Sequence, residues 1–187
     1  MHEPIIIIES RRLKFRRMSL DDLDFVAEML GHPEVMKYYP QCYNRAESVE
    51  WIERQLRRYT EFGIGLWLVC DRISGEPVGQ IGPAPFEFDE AIHAEVGYLV
   101  HRPFWRRGYA TEGAIAVRDY IFYTLDQERA FCTIRPENLP SRGVAEKAGF
   151  TRIPGRVIER SGLDHWVYYA DRSDSLGGTK RERVDGP

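Results

Sequence analysis

The sequence predicts an α/β fold of the mixed α+β kind, a single domain in which helices flank a central sheet. Three observations lead there. Residues 19–30 and 46–62 carry apolar side chains at helical spacing. From Gly65 onward the pattern shortens into strand-like runs separated by turn residues. Ala94–Glu112, AEVGYLVHRPFWRRGYATE, then reads as a strand, a glycine-containing turn and a helix start.

In chain order, residues 1–10 form an apolar patch in a loose end, and Leu13 to Arg17 alternates apolar and basic as a strand does. Ser19 opens a helix with a capping-box-like Ser19-Leu20-Asp21-Asp22, and Gly31 stops it. Pro33 to Tyr43 is irregular and aromatic. The next helix, from about Ala46 to Phe62, has Val49, Ile52, Leu56 and Tyr59 as its apolar stripe. Leu66–Cys70 and Pro77–Ile81 make a hairpin around Arg72–Glu76. Residues 83–93, with two prolines and the acidic Glu87, Asp89 and Glu90, read as a loop.

After the central stretch, whose helix runs to about Leu125, Arg129–Ile134 is a strand. A helix follows with Asn138 as N-cap, Pro140 in its first turn and Gly149 as terminator. Phe150–Ile153 and His165–Ala170 are the last strand-like segments. Residues 1–171 thus make one domain, and 172–187, poor in apolar residues, read as a disordered tail.

Composition excludes several function classes. The 26 basic and 29 acidic residues nearly balance, against the basic excess of a nucleic-acid binder. The longest apolar run near the start, Ile5–Ile8, is four residues, too short for a membrane span or a secretory signal. The chain therefore reads as cytoplasmic. Its three cysteines, Cys42, Cys70 and Cys132, form no CxxC pair, so no metal site is expected, and they read as small buried hydrophobes.

The central stretch has the makings of an anion cradle. The first turn of a helix leaves N–H groups unpaired, and the helix dipole adds roughly +0.5 charge there. Arg106 and Arg107 add formal charge at the same point. Strand-turn-helix chemistry alone indicates a phosphate of some kind.

At Gly97-Tyr98, at Gly108-Tyr109-Ala110-Thr111-Glu112, and at Asn138, Ser141 and Lys147-Ala148-Gly149-Phe150, the chain resembles the GNAT superfamily of N-acetyltransferases. The closer likeness is to its RimJ/RimL-like branch, and the order of elements resembles that fold across roughly Arg12 to Ala170. The resemblance implies a mixed, mostly antiparallel sheet splayed between its fourth and fifth strands, 94–101 and 129–135 here, with acetyl-coenzyme A wedged between them. It implies that the backbone of Leu99, Val100 and His101 pairs with the pantetheine arm. The amides of Arg106, Arg107, Gly108, Tyr109, Ala110 and Thr111 would hold the pyrophosphate. Asn138 would bond the pantetheine region, and Ser141 would lie near the sulfur as proton donor; the other readings of Ser141 are a contact to the coenzyme or an idle hydroxyl in the first turn of its helix. The chain departs from the family turn at Arg106, where a further glycine is common, so Arg106 must accept an unusual backbone angle or bend outward.

Acetyl transfer needs a neutral amine, a polarised carbonyl and a stabilised thiolate. An α-amine of pKa about 8 is ~10% neutral at pH 7, whereas deprotonating a lysine there costs ~4.6 kcal/mol. Glu95, on the face of the central strand that Gly97 shares, is the candidate base acting through a water; the other reading is a substrate-orienting or solvated carboxylate. His93 is a rival base, and Tyr168 and Tyr169 are alternative acids. Trp51, Trp67, Trp105 and Trp166 read as core or pocket wall, with Trp105 a candidate cover for the coenzyme. The acidic residues of 87–90 either attract a cationic amine or form a solvated face.

The resulting expectation is an acetyl-coenzyme A-dependent N-acetyltransferase acting on a protein N-terminus or a small-molecule amine, by direct attack and without a cysteine intermediate. No nucleic acid, membrane or metal partner is expected, and a homodimer is left open. The alternative is an acyl-coenzyme A-binding regulatory module without catalysis.

Overall fold

A computed structural model describes residues 5–176. Eight strands form one sheet in the order β1-β2-β3-β4-β5-β6-β8-β7. The strands are β1 (Ile6–Glu9), β2 (Leu13–Arg16), β3 (Trp67–Asp71), β4 (Pro77–Phe88), β5 (Ala91–Val100), β6 (Arg129–Ile134), β7 (Thr151–Arg160) and β8 (Leu163–Asp171). The helices are α1 (Leu23–Gly31), α2 (Arg45–Glu61), α3 (Tyr109–Tyr123), α4 (Leu139–Lys147) and α5 (Arg172–Leu176). Every strand pair is antiparallel except β5 with β6.

The side-chain period of two sorts each strand onto two faces. Leu66, Leu68 and the neighbouring Cys70 pack with Val26, Met29 and Leu30 of α1 and Ile52 of α2. Trp67 and Val69 point the other way, into a core with Val117 and Ile121 of α3 and Ala145 of α4. Helices α1 and α2 thus cover one face, and α3 and α4 the other. The expected capping box at Ser19 forms with Asp22 and opens a short 3-10 turn before α1. A second, between Asn44 and Glu47, starts α2.

Three expectations need correction. The loose end contains β1, because β-branched Ile6 and Ile8 pair with Arg16 and Phe15 and put Ile7 and Ile8 against the core. Residues 83–93 are no loop: β4 and β5 run unbroken through them, paired from Gly79↔Val100 to Phe88↔Ala91. The prolines fit because β4's last pair with β3 is Trp67↔Ile81, so Pro83 and Pro85 lie where one flank of β4 has no strand beside it. Asp89 and Glu90 close this hairpin with φ of +48° and +64°, the doubly left-handed turn that suits the twist of the strands. The tail, expected to be disordered from 172, begins with the short helix α5; the rest of that expectation, 177–187, lies outside the described residues.

The final hairpin is longer than its apolar content suggests. β7 is an edge strand, so Arg152, Glu159 and Arg160 can be charged and still pair through the backbone with β8. The sheet curls until β7 meets the β4–β5 hairpin, where Phe86, Phe131 and Val167 form a small separate core with Phe88, Ile153 and Ile158.

Candidate active site

β5 and β6 share a single paired position, Glu95 with Phe131, and then separate into a crevice. In an antiparallel ladder the backbone groups of alternate residues point to the same side. The His101 N–H donates to the Val78 carbonyl at 2.9 Å, so the odd-numbered residues of β5 turn their backbone toward β4. The Ala94 N–H, by contrast, donates to the Gln127 side chain at 3.1 Å, on the β6 side. Tyr98 and Val100 therefore face the crevice with their backbone. Of the three residues whose backbone was expected to pair with the pantetheine arm, Leu99 and His101 are turned to β4, and Val100, beside Tyr98, presents its backbone to the crevice. The Val100 carbonyl already accepts from the Trp105 indole N–H at 2.6 Å, which folds that ring against the mouth of the crevice.

The turn before α3 is bent as an anion cradle requires. Arg106 takes φ +61° and Gly108 φ +81°, so the chain accommodates an arginine in the left-handed region rather than straightening. Such alternation gathers successive N–H groups into a concavity. The expected holders Arg106, Arg107, Gly108, Tyr109, Ala110 and Thr111 all lie in this turn and the first turn of α3.

Arg12, which carried no signal in the sequence, fastens the turn. It donates to the Arg107 carbonyl at 2.8 Å, to Glu112 at 2.6 Å, and lies over the Tyr109 ring at 4.6 Å. Burial alone would push the Glu112 carboxyl up, but hydrogen bonds from Ser10 and Arg12 hold it below its ordinary value. Tyr109 adds a bond to Asp71 at 3.0 Å. A hollow of about 860 Å³ opens beside this turn along the flank of α3, lined by Ser10, Arg11, Gly108, Thr111, Ile115 and Lys147. It adjoins the cradle through Gly108 and Thr111, and neither Glu95 nor Tyr98 lines it.

Two polar clusters lie on opposite faces of the sheet at the crevice. On the α3–α4 face the Tyr98 hydroxyl donates to the Ser141 carbonyl at 2.8 Å and accepts from the Ser141 hydroxyl at 3.1 Å. Asn138 caps α4 by accepting from the Ser141 N–H at 3.2 Å, which leaves its side-chain NH₂ without a partner among the described residues. Burial pushes the Tyr98 phenol well above its ordinary value, so it stays protonated and can donate.

On the α1–α2 face, Glu95 is 8% exposed and accepts from Thr133 at 3.0 Å and from Arg160 at 2.7 Å. Each carboxylate oxygen has a second lone pair, so a water can still bond there. Neither Tyr98 nor Arg160 was singled out in the sequence. Tyr98 lies within the Gly97-Tyr98 pair that carries the family resemblance, and Arg160 is 65 residues from its partner.

The remaining candidates are placed less favourably. Burial drives the Cys132 thiol well above its ordinary value, the reverse of what a nucleophilic thiolate needs. Cys42 is exposed and Cys70 partly so, which corrects the expectation that all three are buried. The His93 ring packs on Phe131 at 4.8 Å between centroids. Tyr168 is a core residue at 2% exposure, and Tyr169 lies under the Arg129 guanidinium. Trp51 and Trp67 are buried, while Trp166 sits between the guanidiniums of Arg142 and Arg152. No cluster of His, Cys, Asp and Glu suited to a metal occurs among the described residues.

This arrangement has close counterparts. Residues 12–151 match the family model of the acetyltransferase (GNAT) domain. The Bacillus subtilis protein YkkB is 32% identical over 74% of this chain and 81% of its own length. The crystal structure of an acetyltransferase from Agrobacterium tumefaciens superposes with a TM-score of 0.76 at 26% identity, covering 92% of this chain and 98% of that one. RimL, the ribosomal L7/L12 α-N-protein acetyltransferase in complex with coenzyme A, shares the fold alone, with a TM-score of 0.73 at 17% identity over 89% of this chain and 98% of that one. The splayed sheet, the cradle before α3 and the matched domain together show that this chain belongs to the GNAT acetyltransferase family.

Proposed function

We propose that this N-acetyltransferase binds acetyl-coenzyme A along the β5–β6 crevice and transfers its acetyl group directly to a primary amine entering from the α1–α2 face. The observation that carries this reading is the opposition of Glu95 and Tyr98 across the sheet. The pyrophosphate fits the concavity from Arg106 to Thr111, and the pantetheine arm fits the crevice-facing backbone of Tyr98 and Val100. The unpartnered amide of Asn138 suits one further bond to that arm.

The chemistry then divides between the two faces. The amine must lose a proton to attack, and Glu95 is placed to take it through a water. As the N–C bond forms and the C–S bond breaks, the sulfur keeps the bonding pair, and the nitrogen, now positive, sheds its second proton to solvent. The Tyr98–Ser141 pair then supplies a proton on the opposite side, with Ser141 refilling Tyr98 and solvent refilling Ser141. Two partners hold Glu95 still, and proximity of this kind accounts for a large share of such rate enhancements. Cys132, the cysteine on β6, is deeply buried and its thiol is held protonated, which disfavours it as the nucleophile of a covalent acetyl-cysteine route. An α-amine, already ~10% neutral at pH 7, asks less of Glu95 than a lysine does. A chain N-terminus is the acceptor reading that the motif resemblance to the RimJ/RimL-like branch favours slightly over a small-molecule amine. No described helix is long and apolar enough to cross a membrane, and a cytoplasmic location accords with that.

The test is release of free thiol from acetyl-coenzyme A across a panel of peptides and small amines, with mass detection of the acetylated product. Thiol release matched by product supports transfer. Tight coenzyme binding with no product across the panel supports a non-catalytic binding module instead.

A further inference from the structure

The acceptor side of the crevice has an occupant that the reaction does not require. Arg160, from the edge strand β7, reaches across the curled sheet to Glu95 and lies over the Phe86 ring at 5.2 Å. One of its terminal nitrogens is bonded to the carboxylate. Nε and the other terminal nitrogen have no hydrogen-bond partner among the described residues, and the side chain is 38% exposed. A guanidinium fixed by one carboxylate, with a free edge toward solvent, is preorganised for a second carboxylate.

The surrounding charges point the same way. Arg160 cancels Glu95, and Glu137 together with the Tyr38 carbonyl holds Arg135, whose buried Nε still has no partner. Arg58 stands in the field of both Glu95 and Arg160 and has only the neutral Gln55 as a hydrogen-bond partner. His165 and the buried Tyr39 complete this neighbourhood, and burial pushes the Tyr39 phenol up to about 12, so it stays neutral. Among these named groups the surplus is therefore positive, carried by Arg58. The acidic tip of the β4–β5 hairpin does not reverse it locally. Asp89 is taken by Arg156 at 3.2 Å, and Glu87 pairs with Ile92, three residues along β5 from Glu95. That is about 10 Å at strand rise, roughly one Debye length.

We propose that Arg160 is a specificity residue that selects acceptors carrying a carboxylate a few bonds from the reactive amine, and discriminates against polyamines. The inference rests on the transfer reading above and narrows its acceptor class. Two sources share this chemistry, free α-amino acids and peptides with an acidic first residue.

The test compares kcat/KM for matched pairs: an α-amino acid against its amide, and an Asp-initiated against an Asn-initiated peptide amide, with spermidine as the polycation. The carboxylate member of at least one pair is expected to lead by roughly ten- to a hundredfold, the worth of one hydrogen bond to a charged group. Which pair shows the lead identifies the source. Arg160→Gln is expected to erase that ratio and Arg160→Lys to restore part of it. If Arg160→Gln slows both members of each pair equally, Arg160 only holds Glu95 and the inference fails. Equal rates within both pairs of the native enzyme, or spermidine outrunning every carboxylate acceptor, also overturn it while transfer itself stands. No thiol release with any acceptor removes the transfer reading and this inference together.

Discussion

Substitution of Gly108 probes the cradle at its tightest point. Its φ of +81° is open to glycine and costs other residues roughly 1–2 kcal/mol. An added Cβ would also lie 3.3 Å from the Arg12 guanidinium. That group is the far end of a flexible chain and gives way cheaply, but it is also the clamp on the Arg107 carbonyl. Gly108→Ala should therefore cost about 1–2 kcal/mol of stability, a fall in Tm of roughly 2–8 °C for a chain of this size. If the strain falls on the loop when ligand binds, the coenzyme Kd rises up to about tenfold. Gly108→Asp adds a charge beside the proposed pyrophosphate. At about 4 Å and an effective dielectric near 20, repulsion of one phosphate charge is about 4 kcal/mol, so the Kd should rise by more than about a hundredfold even after screening. Calorimetric titration with coenzyme A, alongside thermal unfolding, separates the two effects. An Asp variant that folds and binds like the parent refutes the placement of the pyrophosphate.

Further tests follow from the two faces of the crevice. Tyr98→Phe removes a proton donor while leaving the ring, so kcat should fall by roughly a hundredfold, with coenzyme binding held within about threefold; a normal kcat would transfer the role to Ser141 or solvent. Glu95→Gln should slow turnover most at low pH, where the amine is protonated, and an unaltered pH–rate profile would remove Glu95 as base. Glu112 supplies a stability test with a definite sign. Its folded pKa is depressed, so the stability it contributes is complete above its ordinary value of 4.5 and is lost as pH falls through the folded pKa. The Tm gap between the native chain and Glu112→Gln should be constant at neutral pH and close below about 4.5; a gap that persists in acid contradicts the assigned hydrogen bonds.

Local signals carried much of this fold into the sequence. The helical stripes of α1 and α2, the caps at Ser19 and Asn138, and the glycine turn before α3 are each set by residues within a few positions of one another. What stayed hidden depends on partners far along the chain. Ile6–Glu9 is a strand only because β2 lies beside it, and Pro83 and Pro85 are tolerable only because β3 ends at their level. β7 looks too charged for a strand until it is placed at the edge of the sheet. The same holds at the site. The strand, glycine turn and helix start around Gly108 were legible locally, and the ligand expected there came from the family resemblance. The division of Glu95 and Tyr98 between opposite faces follows from strand parity once the register is known. The grip of Arg160 on Glu95 and of Arg12 on the cradle required the curl of the whole sheet and the path of the N-terminal strand.

The central claim is that coenzyme A lies in the β5–β6 crevice with its sulfur between Glu95 and Tyr98. A crystal structure of the protein with coenzyme A tests this most directly. The account predicts pyrophosphate oxygens on the amides from Arg106 to Thr111, pantetheine bonded to the backbone of Tyr98 and Val100, and the sulfur within hydrogen-bonding reach of the Tyr98 hydroxyl. Pantetheine running instead into the hollow along α3, lined by Ser10, Ile115 and Lys147, with the crevice left closed, would contradict it.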